Sequence, residues 1–239
     1  MMNKVWRLYL GELQRLVKYK IIFFTMIASL MWIAIIILSD TETARGLVPI
    51  LMVTDAGMMA VLLLGASFYF EKQEGTIKSL LVSPARLSQL LIAKVASAVT
   101  MGLLSMILLG GSAWIFQGIS VNFLILAIYI IIIVGGNTAI GYLFILKSKD
   151  FMGMIVKFAG VMLLFYAPVL LVALQIIPEE FDFLALLSPV SAGSLIIESL
   201  YGTVSIGKVL FSVFYLTALT VTLYPFVVYK KYQKVAVEG

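Results

Sequence analysis

The side chains that could do chemistry in this chain of 239 residues are few. It contains no histidine and no cysteine, which excludes zinc sites built from those residues, thiolate chemistry, and the Ser-His and Cys-His pairs of most nucleophilic enzymes. Its apolar segments also hold no clustered pair of carboxylates that could act as acid and base. We therefore predict no catalytic residue, no metal site and no membrane enzyme.

A nucleotide site is also not expected. The stretch closest to a phosphate-binding loop is Gly202 to Lys208, which Val209 follows. A P-loop needs a Ser or Thr hydroxyl at that place for Mg²⁺, and it must follow a strand. The stretch is a chance match, and the sequence predicts that this chain itself binds no ATP and no other cofactor.

Polar residues within apolar runs form the second group of interest. A carboxylate such as Asp55 costs about 2.5–3.5 kcal/mol in a bilayer, so it should face protein or a water-filled cavity. The candidates for a translocation path are Asp55, Met58, Met59, Asn137 and Thr138. Two structural alternatives stay open: a bond between helices for Asp55, and packing beside Gly135 and Gly136 for Asn137 and Thr138.

Composition identifies the surroundings of these residues. The chain is 62% hydrophobic and 12% charged, whereas soluble domains are about 25% charged. The net charge of +5 is too small and scattered to indicate a nucleic-acid partner. The partner of this surface is therefore the lipid bilayer.

Six apolar stretches are long enough to cross it, since a spanning helix needs about 20 residues. The sequence thus predicts an all-α integral membrane protein, a single domain over 1–239. The first stretch lacks a small-x-small cleavage site, so we expect an uncleaved anchor. The predicted spans are 21–38, 47–70, 95–116, 123–146, 151–174 and 209–229.

The cations predict the orientation. Every Lys and Arg except Arg45 and Lys208 falls on the same side as the N-terminus, and cationic segments stay in the cytoplasm. We therefore expect both termini to be cytoplasmic in a multi-pass protein of a bacterial plasma membrane.

Two segments are predicted to be helical without crossing. Residues 1–20 have helical apolar spacing and indicate an interfacial helix, with its Lys and Arg side chains toward the headgroups. The side opposite the apolar face carries Lys4, Arg7, Glu12, Arg15 and Lys18. Residues 178–205 are apolar but interrupted by Ser188-Pro189. A seventh span there would place the tail lysines outside, so we expect a re-entrant or extracellular helical segment.

The link 71–86 is unlike a simple turn. A charged run is followed by Thr76, which can cap a short helix that Pro84 ends. That helix would present Ile77, Leu80 and Leu81. An exposed apolar face rimmed by charges favours docking of another protein.

Here the sequence resembles the membrane subunits, or permeases, of type-2 ATP-binding cassette (ABC) exporters. The resemblance rests on Glu71 to Pro84, followed by Leu90 to Lys94, and is supported by Leu187-Ser188-Pro189. It implies a half-transporter that pairs with a second permease subunit and with ABC ATPase subunits, which carry the ATP and Mg²⁺. In that family this link is the coupling helix, which implies coupling roles for Glu71, Lys72, Glu74, Gly75, Thr76, Ile77, Lys78, Leu80, Leu81 and Pro84.

Export of a hydrophobic or amphipathic small molecule is therefore the expected function. The layout is similar to small drug exporters of the fluoroquinolone-export type, and haem-exporter membrane subunits have a related loop. An ion-coupled carrier that uses Asp55 without any ATPase is the alternative from a different class.

Overall fold

The computed structural model describes residues 2–75, 86–173, 176 and 182–238. Every regular element in these ranges is helical. The elements in chain order are α1 (Met2–Lys18), α2 (Ile21–Leu38), α3 (Thr41–Met52), a π-helical segment (Val53–Met58), α4 (Met59–Gln73), α5 (Leu87–Gln117), α6 (Phe123–Ile145), α7 (Phe151–Ala173), α8 (Asp182–Ala185), α9 (Pro189–Glu198), α10 (Ile206–Leu223), a second π-helical segment (Tyr224–Val228) and α11 (Tyr229–Glu238).

Six helical stretches among the described residues are long and apolar enough to cross a membrane. This confirms the prediction of an all-α membrane protein with six spans. Spans 1, 3, 4 and 5 are α2, α5, α6 and α7. Span 2 runs without a break through α3, the first π segment and α4, and span 6 runs through α10 and the second π segment into α11.

Two of these helices begin at least six residues earlier than the apolar pattern indicates. Span 2 starts at Thr41 rather than residue 47, because the Asp40 carboxylate caps it by accepting a hydrogen bond from the Thr43 N–H at 2.9 Å. Span 3 starts at Leu87 rather than residue 95. Its first turns contain Gln89 and Lys94, which are polar but buried inside the protein, so a count of apolar residues misses them.

Spans 2, 3 and 4 form the centre of the bundle. In the most apolar 18-residue stretch of each, 72%, 56% and 50% of the residues are buried, against 17%, 6% and 17% in spans 1, 5 and 6. Small residues allow the central helices to approach closely. At Gly141 on span 4, an added Cβ would lie 2.7 Å from a methyl group of Val61 on span 2. The outer three spans leave broad apolar surfaces facing away from the centre.

The segment before span 6 folds back among the other helices. Helix α9 has 10 residues and is about 15 Å long, half of what a crossing requires. It nevertheless buries Val190, Ala192 and Ile196 completely. The Ser188 hydroxyl anchors its start by donating to the carbonyl of Phe165 on span 5 at 2.5 Å. In the described part of the segment, 182–205, the helices α8 and α9 are both too short to cross, and the depth of the segment in the bilayer stays a prediction.

Helix α1 corrects one part of the interfacial-helix prediction. Trp6 and Leu10 are exposed on its apolar side, as a helix at a lipid surface requires. Glu12, however, is not on the predicted outward charged side: it is 2% exposed and points into the protein. The helical spacing could not show this, because the group that draws Glu12 inward is on another helix.

Candidate functional site

Four charged side chains meet at the end of the bundle that holds α1. We call Glu12, Arg15, Glu71 and Lys94 the buried ion cluster. The Lys94 ammonium donates to Glu71 at 2.6 Å and to Glu12 at 3.1 Å. The Arg15 guanidinium donates to the same two carboxylates, at 2.5 Å to Glu71 and 3.1 Å to Glu12. The cluster therefore contains two acids and two bases, and its formal charges cancel.

The cluster lies inside the protein. The side chains of Glu71 and Lys94 are 0% and 1% exposed, and only Arg15 reaches water. Burial raises the pKa of the Glu12 carboxyl, and the Lys94 ammonium opposes that rise without cancelling it. Burial lowers the pKa of Arg15, but the carboxylates of Glu71 and Glu12 together raise it by more. The neighbouring charges thus offset part of the cost of burial at Glu12 and more than all of it at Arg15, and removing one charge would leave another unpaired.

The buried ion cluster lies next to the link 71–86. Glu71 is in the last turn of α4 and Lys94 is the eighth residue of α5, so the two residues lie on the helices before and after the link 71–86. Glu12 and Arg15 add helix α1 to this joint. Tyr232 from α11 is buried against Phe68 of α4, with ring centres 5.7 Å apart. Four helices thus meet at the start and end of one link.

A second, exposed contact joins α1 to the end of span 2. The Lys18 ammonium is 3.4 Å from the Glu74 carboxylate, and the Tyr19 ring stacks on Phe70 with ring centres 4.6 Å apart. Burial and the Glu74 carboxylate raise the pKa of Tyr19 to about 12. Glu74 therefore lies at the surface where the link begins.

The coupling residues inferred from the sequence thus fall in different places. Glu71 is buried, whereas Lys72, Glu74 and Gly75 are exposed. Gly75 has a φ of +70°, a left-handed conformation that favours glycine and that ends α4. The other predicted coupling residues lie outside the described residues: Thr76, Ile77, Lys78, Leu80, Leu81 and Pro84.

Asp55 lies at the centre of a second polar site. It is in the π-helical segment of span 2 and is 3% exposed. One carboxylate oxygen accepts hydrogen bonds from Ser29 on span 1 and Ser105 on span 3, both at 2.5 Å. A cavity of about 10 Å³, lined also by Thr25 and Met59, adjoins the carboxylate and has room for about one water molecule. Asp55 therefore links three spans next to a small cavity.

The other translocation-path candidates are not all at this cavity. Met59 lines the cavity, and its neighbour in the chain, Met58, is buried. Asn137 donates to the Ile133 carbonyl of its own helix at 2.9 Å and packs against Gly57. Thr138 donates to the Val134 carbonyl at 2.6 Å and accepts from the Tyr224 hydroxyl at 2.9 Å. For Asn137 and Thr138 these contacts are those of packing residues.

The sequence does not predict the partners of either site. Its local patterns do not connect Glu71 with Glu12, Arg15 or Lys94, or Asp55 with the two serines. A signal existed only for Lys94, as a single cation within the apolar start of span 3. A buried lysine needs a buried carboxylate nearby, but the sequence does not say which one.

Comparison with known families now adds an independent finding. The model of the ABC-2 type transporter family matches residues 2–200. The chain belongs to the ABC-2 type transporter family. The matched range of this ABC-2 protein includes α1, spans 1 to 5, α9, Asp55 and the whole buried ion cluster. No individual curated protein gives a significant match.

As an ABC-2 protein, the chain is a permease subunit, the membrane part of an ABC transporter. Members of this family generally work with ATPase subunits. The match therefore favours the ATP-driven class over a carrier that works without an ATPase. It also agrees with the absence of a complete phosphate-binding loop in the sequence.

The buried ion cluster predicts a specific pattern of stabilities. Lys94→Gln leaves two buried carboxylates with Arg15 alone, and losing one partner of a buried pair costs about 3–5 kcal/mol. The Tm of the purified protein, measured in detergent, should fall by roughly 6–20 °C. Lys94→Gln/Glu71→Gln restores neutrality and should have a higher Tm than Lys94→Gln.

The matched control is Lys18→Gln, because it removes a cation of the same type from the exposed pair with Glu74. Its Tm should equal that of the unmodified protein. Equal Tm values for Lys94→Gln and Lys18→Gln would show that the cluster does not hold the helix ends together.

Proposed function

We propose that this chain is the permease subunit of an ABC exporter, which dimerises and couples to separate ATPase subunits. The exported compound is a hydrophobic or amphipathic small molecule such as a drug. The observation that carries the proposal is the buried ion cluster, because it fastens both flanks of the predicted coupling link to the membrane helices. A docked ATPase could then move the spans by moving the link.

Glu71 and Glu74 have different tasks in this proposal. Glu71 has no exposed surface, so it acts on coupling through its contacts with Lys94 and Arg15 rather than by touching the ATPase. Glu74 is exposed at the start of the link and is available to an ATPase directly. Ile77, Leu80 and Leu81 supply the apolar surface that is buried on docking.

Transmission through the cluster follows from its geometry. Glu71 accepts bonds from both Lys94 and Arg15 on one carboxylate oxygen, so displacing the end of span 2 also displaces the start of span 3 and helix α1. A connection of this kind resists separation, because pulling one charge away leaves the others buried and unpaired. The three helix ends should therefore move together when the link moves.

The surfaces of the outer spans support pairing with a second permease subunit. Phe23, Phe24 and Leu30 on span 1 are each more than half exposed, as are Leu163 and Leu164 on span 5. These faces are free to pack against another apolar helix or against lipid. Asp55 lies behind span 1, so a rearrangement of span 1 would open the Asp55 cavity to the dimer interface. At that interface the Asp55 carboxylate would attract a cationic substrate.

The coupling assignment is tested with Leu80→Asp and Glu74→Lys. Either change should abolish co-purification of the ATPase subunit from the native membrane, because one places a charge on the apolar docking face and the other reverses a surface charge. Lys149→Glu is the matched control, since it reverses a charge in the other link expected on the same membrane side and should leave the ATPase bound. Normal ATPase recovery with both variants would contradict the coupling-link assignment.

The substrate assignment is tested with Asp55→Asn. This variant keeps hydrogen-bond acceptance from Ser29 and Ser105 but removes the negative charge, so export of cationic compounds should fall more than export of neutral ones. ATPase co-purification should not change. Asp40→Asn is the control, because Asp40 is an exposed acid that caps the same span. An unchanged substrate profile in Asp55→Asn would assign Asp55 a structural role only.

A further inference from the structure

An apolar groove lies on the outside of the bundle, away from the buried ion cluster and Asp55. It forms where the first turns of α5 meet the end of α10 and the second π segment, and its volume is about 540 Å³. Its lining is almost entirely apolar, with Leu91, Ile92 and Val95 on one side and Tyr224, Pro225 and Tyr229 on the other.

The second π segment explains why the groove is there. Pro225 has no N–H and interrupts the regular helical bonding, which widens the helix locally. Tyr224 turns its hydroxyl inward, where it donates to Thr138 at 2.9 Å. Thr220 donates to the Leu216 carbonyl at 2.9 Å. The hydroxyls of Tyr224 and Thr220 are thus already bonded, and the groove offers a ligand mainly hydrocarbon and ring surface.

The length of the groove matches one leaflet of a bilayer. Its lining runs from Ser88 to Ala96 on α5 and from Thr220 to Tyr229 on the antiparallel helix. At 1.5 Å per residue, each side is about 12–14 Å long. One leaflet contributes about 15 Å of hydrocarbon. An acyl chain that lies along the spans would therefore fill the groove from end to end.

Cationic residues lie near the lining residues in the chain at one end of the groove. Arg86 directly precedes α5, and Lys230 directly follows the lining residue Tyr229. Both side chains are exposed, and Lys231 is next along α11. The N-terminus of the long helix α5 adds a partial positive charge at the same end. An apolar groove with a cationic end is complementary to a lipid with a negatively charged headgroup.

We propose that this groove binds an anionic phospholipid, with one acyl chain between spans 3 and 6 and the headgroup phosphate at Arg86 and Lys230. The site goes beyond the transport function and does not depend on it. A second copy of the chain fits the groove less well. In a symmetric pair, the same surface patch meets itself, so Arg86 and Lys230 would face the cations of the other copy.

The test uses a tryptophan in the groove and brominated lipids that quench it. The chain has three tryptophans, which are first replaced by phenylalanine. Ile92→Trp then reports from the groove, and Ile128→Trp reports from an exposed position on span 4 outside the groove lining. Each protein is placed in nanodiscs of phosphatidylcholine containing increasing fractions of brominated phosphatidylglycerol or brominated phosphatidylcholine.

Brominated phosphatidylglycerol should quench Ile92→Trp at a much lower mole fraction than brominated phosphatidylcholine. Since a cation near the surface favours anionic lipid by about 1 kcal/mol, the preference should fall about fivefold for each of Arg86→Gln and Lys230→Gln. Lys147→Gln/Lys149→Gln, which removes two other exposed cations, should keep the preference. Ile128→Trp should show no headgroup preference.

Three outcomes would overturn the proposal. Equal quenching by the two lipids in Ile92→Trp would mean ordinary contact with bulk lipid. Absence of quenching together with disulfide formation between copies of Ile92→Cys would mean that a second copy occupies the groove. A preference that survives Arg86→Gln/Lys230→Gln would mean that these cations do not bind the headgroup.

Discussion

A charge buried in a membrane protein is costly unless an opposite charge or hydrogen bonds compensate it, and here an ion cluster applies that constraint to three helix ends at once. Lys94 and Glu71 have almost no access to water, so separating them would have a large free-energy cost. Because Glu12 and Arg15 complete the balance, α1 must stay against the ends of spans 2 and 3. The rest of the structure on this side of the bundle depends on that contact.

The same principle acts more weakly at Asp55. Among the residues that the structure describes, no cation forms an ion pair with its carboxylate, which relies on two serine hydroxyls and a small cavity. Hydrogen bonds of this kind hold helices together less firmly than paired charges. The two polar sites thus differ in strength: the buried ion cluster favours rigid connection, and the Asp55 site favours rearrangement. The proposed transport mechanism uses both sites: the buried ion cluster transmits the movement of the link, and the Asp55 site allows the spans to rearrange.

The sequence predicts the membrane spans well, because each span is an apolar run whose length is set by bilayer thickness. It predicts contacts between spans poorly. Glu71 and Glu74 look alike in the charged run, yet one is buried against Lys94 and the other is exposed. Glu12 has the spacing of a surface residue, and Ser29 and Ser105 look like ordinary small residues of apolar helices. In each case the deciding partner is on another helix, where local spacing carries no information.

We infer that α1 and the flanking ends of spans 2 and 3 move as one body with the link. The most direct test measures distances between spin labels in the complex with its ATPase, with and without ATP. The chain has no cysteine, so Gln14→Cys can be paired with Lys72→Cys or with Ser88→Cys, all at exposed positions. We predict that both distances stay constant while label distances between the two permease subunits change. A change in either of the first two distances when ATP binds would contradict the account.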